Sequence, residues 1–236
     1  MALMLFDKNQ NESGGRMNSR PAVIVLAAGK GSRFRGADHK LAQQLGNGTV
    51  LGATLANAVA SQLPVIVVTT AAFAEEACRS VAARDVIVLP EVGAPGHNGL
   101  GMGYSIAAGV SARPDAPGWL ILPGDMPMVQ PATVRAVAQQ LAHHPVVYAQ
   151  HKGRRGHPVG FSSELYSELA VMSGDEGARR LIARYPALGL DVDDAGALID
   201  VDTEADLAMV RQAEPVMAGV GAGAGVGVGA GTARPR

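Results

Sequence analysis

VIVLAAGKGSRFRGADHK, residues 23–40, is the stretch on which the fold turns. A short apolar run ends at Ala27-Ala28-Gly29, and a glycine-bearing loop follows with Lys30, Arg33, Arg35 and Lys40. The pattern predicts a buried strand that delivers a flexible, cationic loop to one edge of a sheet. Such a loop suits a polyphosphate, because backbone N–H groups approach the oxygens while the side chains neutralise charge.

Two commoner phosphate loops fail here. A Walker A loop counted from Gly31 reaches Gly36, but Ala37 stands where lysine is required. A dinucleotide fingerprint counted from Gly29 and Gly31 meets Phe34 where a third small residue belongs. No acid near Val67–Thr70 serves as the ribose ligand that fingerprint expects. The loop is of a third kind.

Outward from this stretch, short apolar runs alternate with helical segments. Strands are expected at Ala22–Leu26, Val65–Thr69, Val86–Leu89, Trp119–Leu122 and Val146–Gln150. Helices are expected at Val50–Ser61, Ala72–Ala83, Gly103–Ser111 and Ala132–Leu141. Alternation of this type means parallel βαβ units with right-handed crossovers. The later part is less regular: an antiparallel strand at Pro158–Phe161, helices at Ser163–Val171 and Glu176–Tyr185, a strand at Leu188–Val192, and a closing helix at Thr203–Gln212. The sum is a three-layer α/β sandwich on a mostly parallel sheet, in which ligands bind beyond the carboxyl ends of the strands.

A chain of 236 residues can bury one sizeable core. Residues 7–20 are polar and patternless, and the end from Ala218 is a Gly/Ala/Val repeat without enough side chain for a core. The expected organisation is a disordered extension over 1–20, with Met17 an alternative start, a single domain over 21–215, and a flexible tail over 216–236. A net charge of −1 argues against a nucleic-acid footprint. No apolar run approaches the roughly 20 residues needed to span a bilayer, and Met1–Phe6 lacks the features of a signal peptide. The expectation is a cytoplasmic protein with no membrane or nucleic-acid partner. The lone Cys78, in an Ala-rich helical stretch, is expected to be buried.

Five further motifs fall at the same sheet edge. In Leu122-Pro-Gly-Asp-Met-Pro127, Asp125 stands at the end of an apolar strand. It is either a turn aspartate or a ligand for Mg²⁺, which favours one or two carboxylates with phosphate oxygens. Gly99-Leu-Gly-Met-Gly-Tyr-Ser105 is a mobile connector or a helix start offering N–H groups beside Gly101 and Ser105. Gly153-Arg-Arg-Gly-His-Pro-Val159 sets His157 on a loop stiffened by Pro158, either as a structural histidine or as a contact or orienter at the site, and not as a base. Gly174-Asp-Glu-Gly-Ala-Arg-Arg180 makes Asp175 a candidate N-cap, with Arg179 on the inner face of the helix. In Asp200-Val-Asp-Thr-Glu-Ala-Asp206, Asp200 and Asp202 share a face if the backbone is extended, as a solvated turn or a second metal contact, and Thr203 caps the last helix.

In this order, L-A-A-G-K-G-S-R with Lys40, G-M-G-Y-S, P-G-D-M-P, G-R-R-G-H-P-V, G-D-E-G-A-R and D-V-D-T-E-A-D-L, the motifs resemble the MobA-like nucleotidyltransferases. The resemblance is closest to the molybdenum cofactor cytidylyltransferase (MocA-like) branch, and it runs from Leu26 to Leu207. It implies a Rossmann-like, glycosyltransferase-A-type fold of the nucleotide-diphospho-sugar transferase kind. It implies transfer of a nucleoside monophosphate to the terminal phosphate of molybdopterin, with release of pyrophosphate. Ala28 and Gly124 match the cytidylyl branch; the guanylyl branch has Leu-Ala-Gly-Gly and often Cys before the aspartate. An added methyl against the base pocket favours the smaller pyrimidine. The chain departs from the family at Arg33-Phe34-Arg35-Gly36, in one extra residue before Lys40, and in the missing proline after Thr203.

Carried onto this sequence, the resemblance makes Arg33, Lys40 and Asp125 catalytic. It assigns CTP to Leu26, Ala27, Ala28, Gly29, Gly31, Ser32, Thr69, Gly101 and Ser105. It assigns the molybdopterin-type acceptor to Gly156, His157, Pro158, Asp175 and Arg179, and Mg²⁺ to Asp125, Asp202 and Asp200. A molybdenum hydroxylase would be the client. The alternatives are a GTP-using guanylyltransferase, a cytidylyltransferase for another phosphorylated small molecule, and a non-catalytic molybdopterin carrier or chaperone.

Overall fold

In strand β1 (Ala22–Ala27), Val23, Val25 and Ala27 face one side of the sheet and Ala22 and Ile24 the other, and all five are buried. A strand apolar on both faces has to lie between two helical layers. The structure is a computed structural model and describes residues 20–31, 34, 38–90, 101–174 and 178–218, the last five as backbone only. After β1 come a hairpin of β2 (Gln44–Leu45) and β3 (Gly48–Thr49), α1 (Val50–Ala60), β4 (Val65–Thr70), α2 (Ala71–Ser80) and β5 (Val86–Leu89). Then follow α3 (Met102–Ser111), β6 (Gly118–Pro123), α4 (Pro131–Gln140), β7 (Val146–His151) and β8 (Arg154–Ser162). The chain continues through α5 (Tyr166–Ala170), α6 (Arg179–Arg184), β9 (Ala187–Asp191) and α7 (Glu204–Ala218).

Seven strands form one sheet in the order β5-β4-β1-β6-β8-β7-β9. Strand β8 runs antiparallel to both neighbours, and the other pairings are parallel. One core cluster packs α1, α2, α4 and α7 on the face of Val23 and Val25. The second packs α3, α5 and α6 on the face of Ile24, around the fully buried Trp119 and Phe161, which are register partners on β6 and β8. Each such large side chain contributes about 1.5–3 kcal/mol through burial.

The chain leaves β1 toward β4 on one side and later returns to β6 on the other. Beyond the carboxyl ends of β1 and β6 the connections therefore diverge and leave a crevice, the place where open α/β sheets bind ligands. Two strands not expected from pattern, β2 and β3, are only two residues each and turn at Gly46, whose φ of 55° suits the first corner of such a hairpin. They place Thr49, whose Oγ1 accepts the Gly52 N–H at 2.9 Å and starts α1.

The later segments differ in detail from expectation. The antiparallel strand is longer than Pro158–Phe161, because a two-residue turn at Lys152 (φ 50°) and Gly153 (φ 75°) pairs it with β7 from Arg154 onward. The Ser163–Val171 helix begins as a 3-10 turn over Ser163–Leu165. Residues 175–177 lie outside the described chain, and α6 is described from Arg179. Helix α7 runs past Gln212 to Ala218, while the 1–19 extension and the tail from 219 lie outside the described residues. Cys78 is exposed, not buried: Phe73 and Ala77 form the inner side of α2, and position 78 turns outward. Among the described residues no helix is long and apolar enough to cross a membrane.

Candidate active site

The end of β1 and the end of β6 are stitched together. The Gly124 N–H donates to the Leu26 carbonyl at 2.8 Å. A Cβ at position 124 would stand 3.0 Å from that oxygen and 3.3 Å from the Ala27 Cβ, so glycine sets the spacing of the two loops. Asp125 is thereby held beside the Leu26–Gly31 loop, on the floor of a cleft of about 770 Å³.

The loop wall is braced by a residue not singled out in the sequence. The His39 ring bridges two segments: Nε2 donates to the Gly29 carbonyl at 3.0 Å, and Nδ1 accepts the Leu41 N–H at 3.2 Å. Phe73 packs against it, with ring centroids 4.9 Å apart. Gly31, at φ 60°, lies so close that a Cβ there would stand 3.0 Å from His39 Nε2. The ring fixes the 3-10 turn Lys40–Ala42 and so aims Lys40 inward. The Lys40 Nζ donates to Asp125 Oδ2 at 2.5 Å and to Asp202 Oδ1 at 2.6 Å.

The opposite wall is assembled from distant sequence. Because β8 is antiparallel, its first residues lie at the carboxyl edge of the parallel strands; Ile121 pairs with Val159, so His157 falls beside the end of β6. Gly156 lies against a second segment, where a Cβ would stand 2.1 Å from the Ala197 carbonyl oxygen. That segment, a 3-10 turn over Ala195–Leu198, is tied down by Asp194. This buried carboxylate accepts from the Gln130 N–H (2.9 Å), the Thr133 hydroxyl (2.6 Å) and the Gly196 N–H (2.9 Å). The turn leads into Asp200–Asp202, and the Val201 N–H donates to the Asp125 carbonyl at 2.9 Å. Thr203 and Asp206 then cap α7 reciprocally: the Asp206 N–H donates to Thr203 Oγ1, and Asp206 Oδ2 accepts from the Thr203 N–H and hydroxyl.

The result is a trio of carboxylates, Asp125, Asp200 and Asp202, with one oxygen of each within 4.8 Å of the others. Partial burial, then the like charges of Asp202 and Asp125, raises the Asp200 carboxyl above its ordinary value. Burial opposes the Lys40 charge, but Asp125 and Asp202 together outweigh it and leave the ammonium harder to deprotonate than usual. Burial lowers the His157 imidazole below its ordinary value, against a backbone hydrogen bond to Ile121 and the charges of Asp125 and Asp200. Two polar atoms here are buried without a partner, Asp125 Oδ1 and His157 Nδ1. Three converging hard oxygen donors, one with an unsatisfied buried oxygen, fit a divalent cation of the Mg²⁺ or Mn²⁺ type.

Most expected site residues meet in this cleft. Leu26, Ala28, Gly29, Gly31, Lys40, Gly101, Ser105, Asp125, Gly156, His157, Arg179, Asp200 and Asp202 all line it. Ala27, Thr69 and Pro158 are buried behind the wall; the Thr69 hydroxyl donates to the Ala27 carbonyl at 3.4 Å and supports the loop from beneath. Ser32, Arg33 and Asp175 lie outside the described residues. Arg155 also lines the cleft, with its guanidinium 4.5 Å from the Tyr148 ring centroid. His39 and Asp194 were illegible in sequence because each acts through backbone groups of segments that only the fold brings near.

Residues 23–188 match the sequence profile of the MobA-like NTP transferase domain. The chain is 29% identical over 211 residues to the purine catabolism protein PucB of Bacillus subtilis (strain 168), covering 80% of this chain and 95% of PucB. It is 32% identical over 123 residues to the bifunctional protein GlmU of Zymomonas mobilis, covering 52% of this chain and 27% of GlmU, so it spans about a quarter of that protein. Among solved structures, Rv0371c of Mycobacterium tuberculosis H37Rv superposes with a TM-score of 0.69 at 28% identity, covering 82% of this chain and 98% of that one. The same mycobacterial protein has also been solved as a complex with manganese, at a TM-score of 0.66 and 27% identity, with 82% and 98% covered.

Proposed function

The chain belongs to the MobA-like NTP transferase family, and from that premise we propose that it transfers CMP from CTP to the terminal phosphate of molybdopterin, releasing pyrophosphate. The observation that carries this reading is the trio Asp125, Asp200 and Asp202 facing a cationic glycine loop across one cleft. Cations alone would suit simple anion binding. Cations with converging carboxylates suit a metal-bound triphosphate.

Cleft chemistry supports two anionic halves. Lys30 and Lys40 stand on the loop side, Arg155 stands on the far wall, and Arg179 lines the cleft from the start of α6. We assign the triphosphate to the two lysines together with Arg33, and the acceptor phosphate to Arg155 and Arg179. Asp125, Asp200 and Asp202 would hold Mg²⁺, which neutralises triphosphate oxygens when bound. That the mycobacterial relative was solved as a complex with manganese supports the use of a divalent ion. An oxygen of the acceptor phosphate forms the new bond to the α-phosphorus. The bond from that phosphorus to the bridging oxygen breaks, and pyrophosphate leaves with the electron pair. The attacking oxygen is already anionic, so no proton has to be removed. His157, with its buried Nδ1, orients the acceptor and is not a base. Positioning and charge neutralisation supply the rate enhancement.

Ala28, which lines the cleft, supports the choice of cytosine. A molybdenum hydroxylase is the client we expect for the product, and the likeness to a purine catabolism protein is in keeping with that. The test is pyrophosphate release from CTP, GTP, ATP and UTP, with and without molybdopterin, in Mg²⁺. The expected result is CTP-dependent release only when molybdopterin is present. Asp125→Asn should lower it by roughly 10²–10³-fold. Preferential use of GTP would overturn the reading of Ala28. Tight binding of molybdopterin without release from any nucleotide would make the chain a carrier.

A further inference from the structure

Lys40 sits in the acidic trio. Its ammonium touches Asp125 Oδ2 at 2.5 Å and Asp202 Oδ1 at 2.6 Å, and all three side chains are more than four-fifths buried. Three carboxylates this close repel one another, and an ammonium between two of them relieves that repulsion. It does so incompletely, because Asp125 Oδ1 stays buried and unpartnered. The Lys40 charge and a divalent ion would have to share the same oxygens, and a desolvated ion pair is costly to break. A lysine also has a second class of partner: its compact ammonium on a flexible stem serves phosphate oxygens as readily as carboxylates.

We propose that Lys40 is the resident counter-cation of the Asp125–Asp200–Asp202 site and competes with the divalent ion for it. The metal is then held weakly until an anionic substrate draws the ammonium away. The inference rests on the metal assignment made above and adds an order to it: substrate phosphate and metal favour one another through one moving side chain. Binding coupled in this way is reciprocal.

The test is a titration of the metal-free full chain with Mn²⁺ in the absence of nucleotide, following free Mn²⁺ by its paramagnetic resonance signal. Lys40→Met and Lys40→Gln should bind roughly tenfold more tightly than the unsubstituted chain, within the range usual for coupled sites. Lys30→Met removes the same charge from the same cleft without vacating the trio, and should change affinity by less than about twofold. Melting curves supply a second readout: added Mn²⁺ should raise the midpoint of the Lys40 variants more than that of the parent. Equal or weaker Mn²⁺ binding by both Lys40 variants overturns the competition. The two readings fail separately. If Asp125→Asn, added to Lys40→Met, removes the Mn²⁺ site, the metal assignment stands whatever Lys40 does. If Mn²⁺ binding survives Asp125→Asn, the metal assignment falls, and the inference about Lys40 falls with it.

Discussion

The two walls of the cleft are built in opposite ways. The loop wall is continuous in sequence: Leu26–Gly31 and Lys40 lie within fifteen residues or so, at the end of one strand. The far wall draws on Arg155–His157, Ala195–Leu198 and Asp200–Asp202, joined by the antiparallel course of β8 and by Asp194. A local wall tolerates change elsewhere in the chain. A composite wall depends on each contact that holds its parts in register, so its failures should appear as lost stability before lost chemistry.

The sharpest way to break the composite wall is Gly156→Ala. Its Cβ would stand 2.1 Å from a backbone oxygen that cannot swing away. A destabilisation of about 3 kcal/mol is expected, and a fall in melting midpoint of roughly 6–12 °C. A melting curve within a degree or so of the parent would show that the two segments are not in contact.

Next comes Asp194→Ala, which leaves two N–H groups and a hydroxyl without their acceptor. The expected cost is about 2–3 kcal/mol by chemical denaturation. Because the turn before Asp200 loosens, Mn²⁺ affinity should fall as well, although residue 194 is not among the three acids that would bind the metal.

On the loop wall the expected effects are smaller and kinetic. His39→Asn keeps an acceptor for the Leu41 N–H and loses the bond to Gly29, whereas His39→Gln reaches toward Gly29 and loses the cap. Each should raise the KM for the nucleotide about fivefold, the worth of one hydrogen bond of about 1 kcal/mol, with the melting point little changed. A large drop in melting point with an unchanged KM would make His39 a stabilising residue and not a positioning one.

The smallest effect is in the pH profile. His157 has its imidazole pKa depressed below 6.5 in the fold, chiefly by burial. Its neutral form is favoured by folding, so its contribution is fully present above pH 6.5 and is lost as pH falls below that toward the depressed value. Melting points measured from pH 7.5 to 5 should decline more steeply for the parent than for His157→Gln. Parallel curves would mean that the ring is solvated.

The α/β class, the positions of most helices and strands, and the chemical character of six motifs are legible in the chain itself. Lys40, Asp125, Asp200 and Asp202 were all legible, because strand ends and charged residues announce themselves by type and spacing. The exposed side of Cys78 was not, since small residues surround it in sequence and only packing decides which side of α2 is turned inward. Thr69, expected at the nucleotide, lies beneath the loop because β4 is buried along its whole length.

What sequence by itself determined is the inventory: a strand apolar on both faces, a cationic glycine loop, an acid at a later strand end and a pair of acids ahead of the last helix. These follow from residue type and period, which are local properties. Only the tertiary structure decided which groups meet. An antiparallel β8 carries His157 to the same edge as Asp125, and Val201 N–H binds the acid segment to the Asp125 carbonyl. His39 turns Lys40 onto two carboxylates, 85 and 162 positions away, and not outward into solvent. Such contacts join groups whose separation along the chain bears no relation to their distance in space, so no periodicity encodes them.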